Sequence, residues 1–267
     1  MAQFRALTFD FANNHSMNYD VYIVDFMGLS GWQTEIAGSN INIISDSVHR
    51  HAEQYIYGVR QDEALQFNIT IGSPNAKSRA EIDRLTAWLV QITPQCLCVG
   101  QDDMEFYRYK GFFINPQLIS VNGQPFGMQL TFVSTSPFAY TFPRKKILNI
   151  EAPLTYIFNN DSGDNNYLYP TLIYTPANIT QFFSIINDSD NGREFRFDFN
   201  APFPNGSEVI TIDNRLQIVK SNAGLSKERF NQFNMNFLRL IRGRNELRIT
   251  GNGSLEIHYV FARRIGA

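Results

Sequence analysis

At 267 residues the chain has room for one large or two ordinary domains, each able to bury its own core. A hydrophobic content of 43% with 18% charged residues excludes a disordered chain, and a net charge of −2 gives no basis for general nucleic-acid binding. No apolar run approaches the ~20 residues that span a bilayer, and residues 1–20 lack the basic start and apolar stretch of a signal peptide, so a soluble protein made in the cytoplasm is expected.

Phe4 to Phe11 reads as a first strand, and Asn13-Asn14-His15-Ser16 as a turn cluster. Tyr19 to Met27 reads as a second strand, followed by a glycine-punctuated loop, Gly28 to Gly38, that carries Trp32. Extended segments are expected from Asn40 to Gly72. The clearest sets Leu65, Phe67, Ile69 and Ile71 on one face against Gln66, Asn68 and Thr70 on the other. Ahead of it, residues 48–60 mix Tyr, His and Arg with few aliphatics, which suggests a projecting hairpin or arm. Its candidate subunit-interface residues are His49, Arg50, Tyr55, Tyr57 and Arg60, because Tyr and Arg are enriched where proteins meet. An ordinary exposed hairpin would carry the same pattern.

A helix is expected over Lys77 to Ile92, where Ile82, Leu85, Leu89 and Ile92 form one stripe. Ser78 and Glu81 have capping-box spacing at its start, and Thr93-Pro94 ends it. Two strands follow, Cys96 to Val99 and Met104 to Ile114. Asn122-Gly123 accepts positive φ and suits a tight reversal into a strand where Met128, Leu130 and Phe132 alternate with Gln129, Thr131 and Val133. Ser136-Pro137 stops that strand, since proline lacks the N–H for a ladder. The stop marks a domain boundary, giving domains over 1–142 and 143–267.

The second domain shows no long helical period. Tyr167 to Tyr174 reads as a strand interrupted by Pro170, hence an edge. Phe195, Phe197 and Phe199 make a half-buried strand after the Asn191-Gly192 turn. Ile210 to Ile212 and Leu216 to Ile218 flank Asp213-Asn214-Arg215 as a hairpin, and Leu238 to Ile241 and Leu247 to Ile249 flank residues 242–246 in the same way. Leu255 to Phe261 is the last strand, and Ser221 to Asn234 the longest irregular stretch. Many short strands at close spacing argue for an antiparallel sandwich.

Motifs for chemistry are weak. His49-x-His51-x-Glu53 offers three ligands on one strand face but no fourth, and Cys96-x-Cys98 reads as buried free thiols rather than a redox pair. No nucleophile elbow, phosphate loop or dinucleotide glycine pattern is present, so no catalytic, metal or cofactor residue is assigned. Charge is uneven: residues 1–142 carry 8 Lys+Arg against 13 Asp+Glu, and residues 143–267 carry 15 against 12. The acidic half would suit the wall of a DNA conduit, and also suits an ordinary solvated surface.

A strand ending in Ser136-Pro137-Phe138-Ala139-Tyr140, about 140 residues beyond a start that holds the Phe9-Asp10-Phe11 strand, resembles the distal tail proteins of bacteriophages with long non-contractile tails. The resemblance spans the whole chain. It implies a mainly β protein. An N-terminal sandwich or split-barrel-like domain with one helix would form a ring, and a galectin-like antiparallel sandwich would follow. It implies a structural virion protein at the tail tip, assembled in the host cytoplasm: a hexameric ring with a channel for DNA. Its partners would be the tail tube protein, a tail-associated lysin or fibre protein, and receptor-binding proteins, with no membrane, cofactor or enzymatic role. The alternative is a carbohydrate-binding module of a host-recognition protein. A galectin's sugar site stacks on a tryptophan, yet Trp32 and Trp88 both lie in the first domain. Tyr167, Phe182 and Phe183 are then the candidate peripheral aromatics.

Overall fold

The computed structural model describes residues 8–24, 42–47, 53–60, 64–100, 107–177, 180–199 and 208–264. The chain is mainly β, with antiparallel sheets, and divides into two compact units. One comprises Met1–Thr141 with Arg263–Ala267, and the other Phe142–Ala262.

The first unit carries strands β1 (Phe9–Phe11), β2 (Asn14–His15), β3 (Tyr22–Ile23), β4 (Asn42–Ser47), β5 (Gln54–Arg60) and β6 (Gln66–Gly72). Helix α1 (Arg79–Leu89) and strands β7 (Gln95–Val99), β8 (Tyr107–Val121), β9 (Gln124–Ser134) and β10 (Ala139–Thr141) complete it. The main sheet runs β2-β1-β7-β8-β9-β6-β3, with β10 on β8. Period-two patterning decides which face is inside: Phe67, Ile69 and Ile71 on β6 and Met128, Leu130 and Phe132 on β9 are all buried.

The reversal at Asn122-Gly123 has φ of 52° and 79°, and joins β8 to β9 with Val121 opposite Gln124. That β-hairpin is longer than its alternation suggests, because a bulge at Asn115 and Pro116 breaks the period and lets β8 continue. Gly111 and Gly127 sit where strands close most tightly. A Cβ on Gly127 would overlap the Ile71 carbonyl oxygen, and one on Gly111 the Val133 carbonyl oxygen.

Helix α1 starts with the expected capping box: Ser78 N donates to Glu81 Oε2 at 2.7 Å, and Glu81 N to Ser78 Oγ at 3.4 Å. Its buried face is Leu85, Trp88 and Leu89. It ends earlier than the sequence pattern suggests, at the extended Val90, so the stripe never reaches Ile92, which is 97% exposed. Trp88 stacks against Tyr19 at 4.3 Å and Phe9 at 5.5 Å, and its Nε1–H donates to the Phe11 carbonyl at 2.9 Å. The second expected strand also differs. Ser16–Tyr19 is a 3-10 turn closed by left-handed Asp20, so β3 begins only at Tyr22.

The second unit is a sandwich of two antiparallel sheets around one core. Strands β11 (Arg144–Ile150), β12 (Leu154–Asn160), β13 (Thr171–Pro176), β14 (Phe182–Asn187) and β15 (Arg193–Asp198) come first. Then follow β16 (Ile210–Asp213), β17 (Ile218–Ser221), α2 (Ser226–Asn231), β18 (Gly243–Thr250) and β19 (Gly253–Tyr259). One sheet runs β11-β19-β13-β16-β17 and the other β12-β18-β14-β15. The core is phenylalanine-rich: Phe195, Phe197 and Phe233 meet with centroids 4.8–5.5 Å apart.

Three readings are corrected here. Pro170 precedes β13 rather than interrupting it, and β13 is the central strand of its sheet, not an edge. Leu238 to Ile241 forms no hairpin arm: Leu240 bridges to Leu168 through its backbone N–H and carbonyl, and four asparagine amides bind the backbone groups around it. Asn214 Oδ1 accepts from Leu238 N at 2.8 Å, and Asn187 Nδ2 donates to the Arg239 carbonyl at 3.2 Å. Asn160 Nδ2 donates to the Leu240 and Ile241 carbonyls, and Asn245 both accepts from and donates to the Ile241 backbone. The stretch from Ser221 to Asn234 holds α2, whose Arg229 makes a buried ion pair with Glu208 at 2.6 Å.

Candidate assembly surface

Among the described residues, strands β4 and β5 pair only with each other, making a two-stranded antiparallel sheet apart from the main one. The register runs from Asn42 opposite Arg60 to Ser47 opposite Gln54, with an irregularity between Ile44 and Ser45 that leaves Tyr57 unpaired. β-Branched and aromatic residues favour this extended pairing. Yet Ile43, Ile44, Tyr55, Ile56 and Tyr57 are all exposed, Ile56 at 64% and Tyr57 at 70%. Successive positions on a strand point to opposite faces, so exposed neighbours 55, 56 and 57 leave neither face of that part of β5 on a core. Two strands alone are marginally stable in water, and clustered exposed apolar groups mark contact sites. Inside the arm, Ser45 Oγ donates to Gln54 Oε1 at 3.2 Å.

Of the expected interface residues, Tyr55 and Tyr57 lie on this arm and are exposed, and Arg60 ends β5. His49 and Arg50 lie outside the described residues, as do His51 and Trp32. Glu53 is exposed, and among the described residues no group of His, Cys, Asp and Glu is placed to hold a metal ion. Ile43, Ile44 and Ile56 were not singled out from sequence; the available signal was a short apolar cluster, Ile43-Ile44 and Tyr55-Ile56-Tyr57, in a stretch without helical period.

The cysteines correct an expectation. Leu97 and Val99 are the buried face of β7, which puts Cys96 outside and exposed and leaves Cys98 half-buried. Burial, then the neighbouring Cys96 and Asp10, pushes the Cys98 thiol up to about 11, so it is protonated at neutral pH.

The peripheral aromatics of the second unit are placed differently from the arm. Phe183 is buried, stacked on Tyr174 at 3.9 Å, and presents no surface. Phe182 is half-buried with the Arg196 guanidinium 4.9 Å over its ring, and Arg196 is itself bonded to Asp198 at 2.6 Å. Tyr167 is 38% exposed, with Arg239 4.1 Å over its ring. Arg239 is held by the buried Asp190 through Nε at 2.7 Å and Nη2 at 3.2 Å. Tyr167 and Phe182 therefore each have one face covered by a tethered guanidinium. Trp88 is a core residue of the first unit.

Among the described residues no helix is long and apolar enough to cross a membrane. No curated protein sequence matches the chain. Residues 4–136 match the family described as a phage tail protein N-terminal domain, and residues 138–259 match a phage tail C-terminal domain. The fold is similar to that of the Dit protein (gp 19.1) of phage SPP1, described as a paradigm of hub adsorption apparatus in phages infecting Gram-positive hosts. The TM-score is 0.69 at 11% identity, over 95% of this chain and 98% of that one. A chain of the phage P2 baseplate, in its activated conformation with Ca, is similar with a TM-score of 0.51 at 9% identity, over 94% of this chain and 97% of that one.

Proposed function

The chain belongs to the phage tail protein family, and from that premise we propose that it is a structural hub of the virion: a hexameric ring at the distal end of the tail tube. The first unit makes the ring. The second is galectin-like in shape and carries or docks the adsorption apparatus, namely the tail-associated lysin or fibre protein and the receptor-binding proteins. The tube protein meets the ring on its other side, and DNA passes through the central channel. The role is architectural, with no reaction to catalyse.

The observation that carries this reading is the β4–β5 arm, which exposes five large apolar side chains on a sheet too small to stand alone. An arm reaching one neighbour while its own unit receives the next gives a head-to-tail contact, and such contacts close into rings when the rotation permits. Likeness to the SPP1 hub protein over nearly the full length of both chains supports the same architecture.

Light scattering with negative-stain imaging of the purified protein, alone and with the tube protein, tests it. The expected particle has about six times the mass of the 30.6 kDa chain and a central hole. A stable dimer or trimer without a channel, unchanged by the tube protein, would overturn the ring.

A further inference from the structure

One half of the main sheet of the first unit has an outer face without charge. Cross-strand rows place Gln66, Asn68 and Thr70 of β6 beside Thr131 and Gln129 of β9, and these beside Gln117 of β8. The remaining outward positions in the same rows are Val133, Phe112 and Ile114. None of the nine is acidic or basic, where an ordinary protein surface would place about two or three charged residues. The absence is local: Arg108 and Lys110 on β8, and Asp10 on β1, lie further along the same sheet. The Asn115-Pro116 bulge opens a shallow cleft of about 420 Å³ in this face, lined by Asn68, Gln117, Gln129 and Thr131 among others. Within it Thr131 Oγ1 donates to Asn68 Oδ1 at 2.8 Å.

Two uses fit a charge-free face. A dry protein contact would strip water from six amide or hydroxyl side chains, and all their polar groups outside the Thr131–Asn68 bond would then need new partners. A face that stays wet keeps those groups hydrated at no cost. It also offers passing nucleic acid nothing to bind, since it is cationic side chains that hold phosphate by releasing counterions. We infer that this face of β6, β9 and residues 112–117 of β8 lines the channel and is the wall past which duplex DNA moves. This rests on the ring proposed above. It assigns non-adhesion to amide and hydroxyl groups rather than to the acidic balance of residues 1–142.

Position and chemistry are tested separately. Gln129→Cys, in a Cys96→Ser and Cys98→Ser background, is labelled with maleimide-coupled gold, and rings are viewed end-on. Gold inside the central hole is expected. Gold on the outer rim, or a thiol that resists labelling in intact rings, would overturn the assignment and leave the ring standing. Absence of rings from the unlabelled protein with the tube protein present would remove both. For the chemistry, rings of Asn68→Lys/Gln129→Lys/Thr131→Lys should hold a duplex oligonucleotide about tenfold or more tighter than unmodified rings, an effect that fades with added salt. Rings carrying Ala80→Lys/Asp83→Lys/Ala87→Lys on the exposed side of α1 are the comparison, and equal retention by the two variants would overturn the inference.

Discussion

The arm of the first unit and the surface of the second treat exposed aromatic side chains in opposite ways. On the sandwich, Tyr167 and Phe182 each lie under an arginine, and each arginine is anchored by an aspartate of the same unit. On the arm, Tyr57 and Ile56 are the most exposed of its apolar side chains and belong to no core. These two rings are thus covered on one face within their own unit, although the sandwich also exposes Leu216 and Tyr169, while the arm gathers five exposed apolar side chains on two short strands. Stability should therefore be sensitive to substitution in the second unit, and assembly to substitution on the arm.

The most damaging test of that contrast is the buried ion pair. Arg229→Met strands the Glu208 carboxylate, and should cost about 3–5 kcal/mol in urea unfolding followed by circular dichroism. The double variant Arg229→Met/Glu208→Leu should recover most of the loss. A single variant as stable as the parent would show that the pair does not hold α2. The same pair predicts a pH response. Burial raises the Glu208 pKa, but bonds from Arg229 and Ser221 outweigh it, and the net position is below the ordinary 4.5. A depressed folded-state pKa contributes stability that is complete above the unfolded value and is lost as pH falls through the folded one. The stability difference between parent and double variant should shrink across that acidic window and stay flat near neutrality.

Next in size is the amide clamp on residues 238–241. Asn245→Ala removes a side chain that bonds the Ile241 N–H and carbonyl as well as the Asn187 amide, and should cost about 1–3 kcal/mol by the same measurement. The arm should behave in reverse. Tyr57→Ala should change monomer stability by no more than about 0.5 kcal/mol, yet weaken assembly by about 2 kcal/mol, read as a roughly thirtyfold rise in the concentration at which large particles form. An arm variant that destabilises the monomer while assembling normally would invert the contrast. Smallest is Tyr167→Ala, which removes the ring beneath Arg239 and should cost about 0.5–1 kcal/mol without touching assembly.

Where a single local rule governs a segment, the sequence was legible. Ser78 and Glu81 announced the helix start, Asn122-Gly123 the reversal, and alternation set the buried faces of β6 and β9. Where side chains from distant positions decide, it was not. Leu238 to Ile241 looks like a strand, but asparagines from four other places bind its backbone. Pro170 looks like an interruption, yet its carbonyl only accepts from Asn214 Nδ2, at 2.6 Å, before β13 begins. The arm was legible as an outlying Tyr-rich segment. Its apolar weight was underestimated, because the reading covered residues 48–60 alone and so left out Ile43 and Ile44 on the partner strand. The cysteines were misread for a related reason: an apolar residue type was given more weight than its place in the alternation of β7.

Trp88, wedged between Tyr19 and Phe9, has an optical consequence. The chain has two tryptophans, Trp32 and Trp88, and neither lies in the unit Phe142–Ala262. Tryptophan emission, excited beyond tyrosine absorption, therefore reports the first unit and is blind to the sandwich. Chemical unfolding followed by emission and by circular dichroism in parallel should then give coincident curves if the units melt together, and separated ones if the sandwich opens on its own.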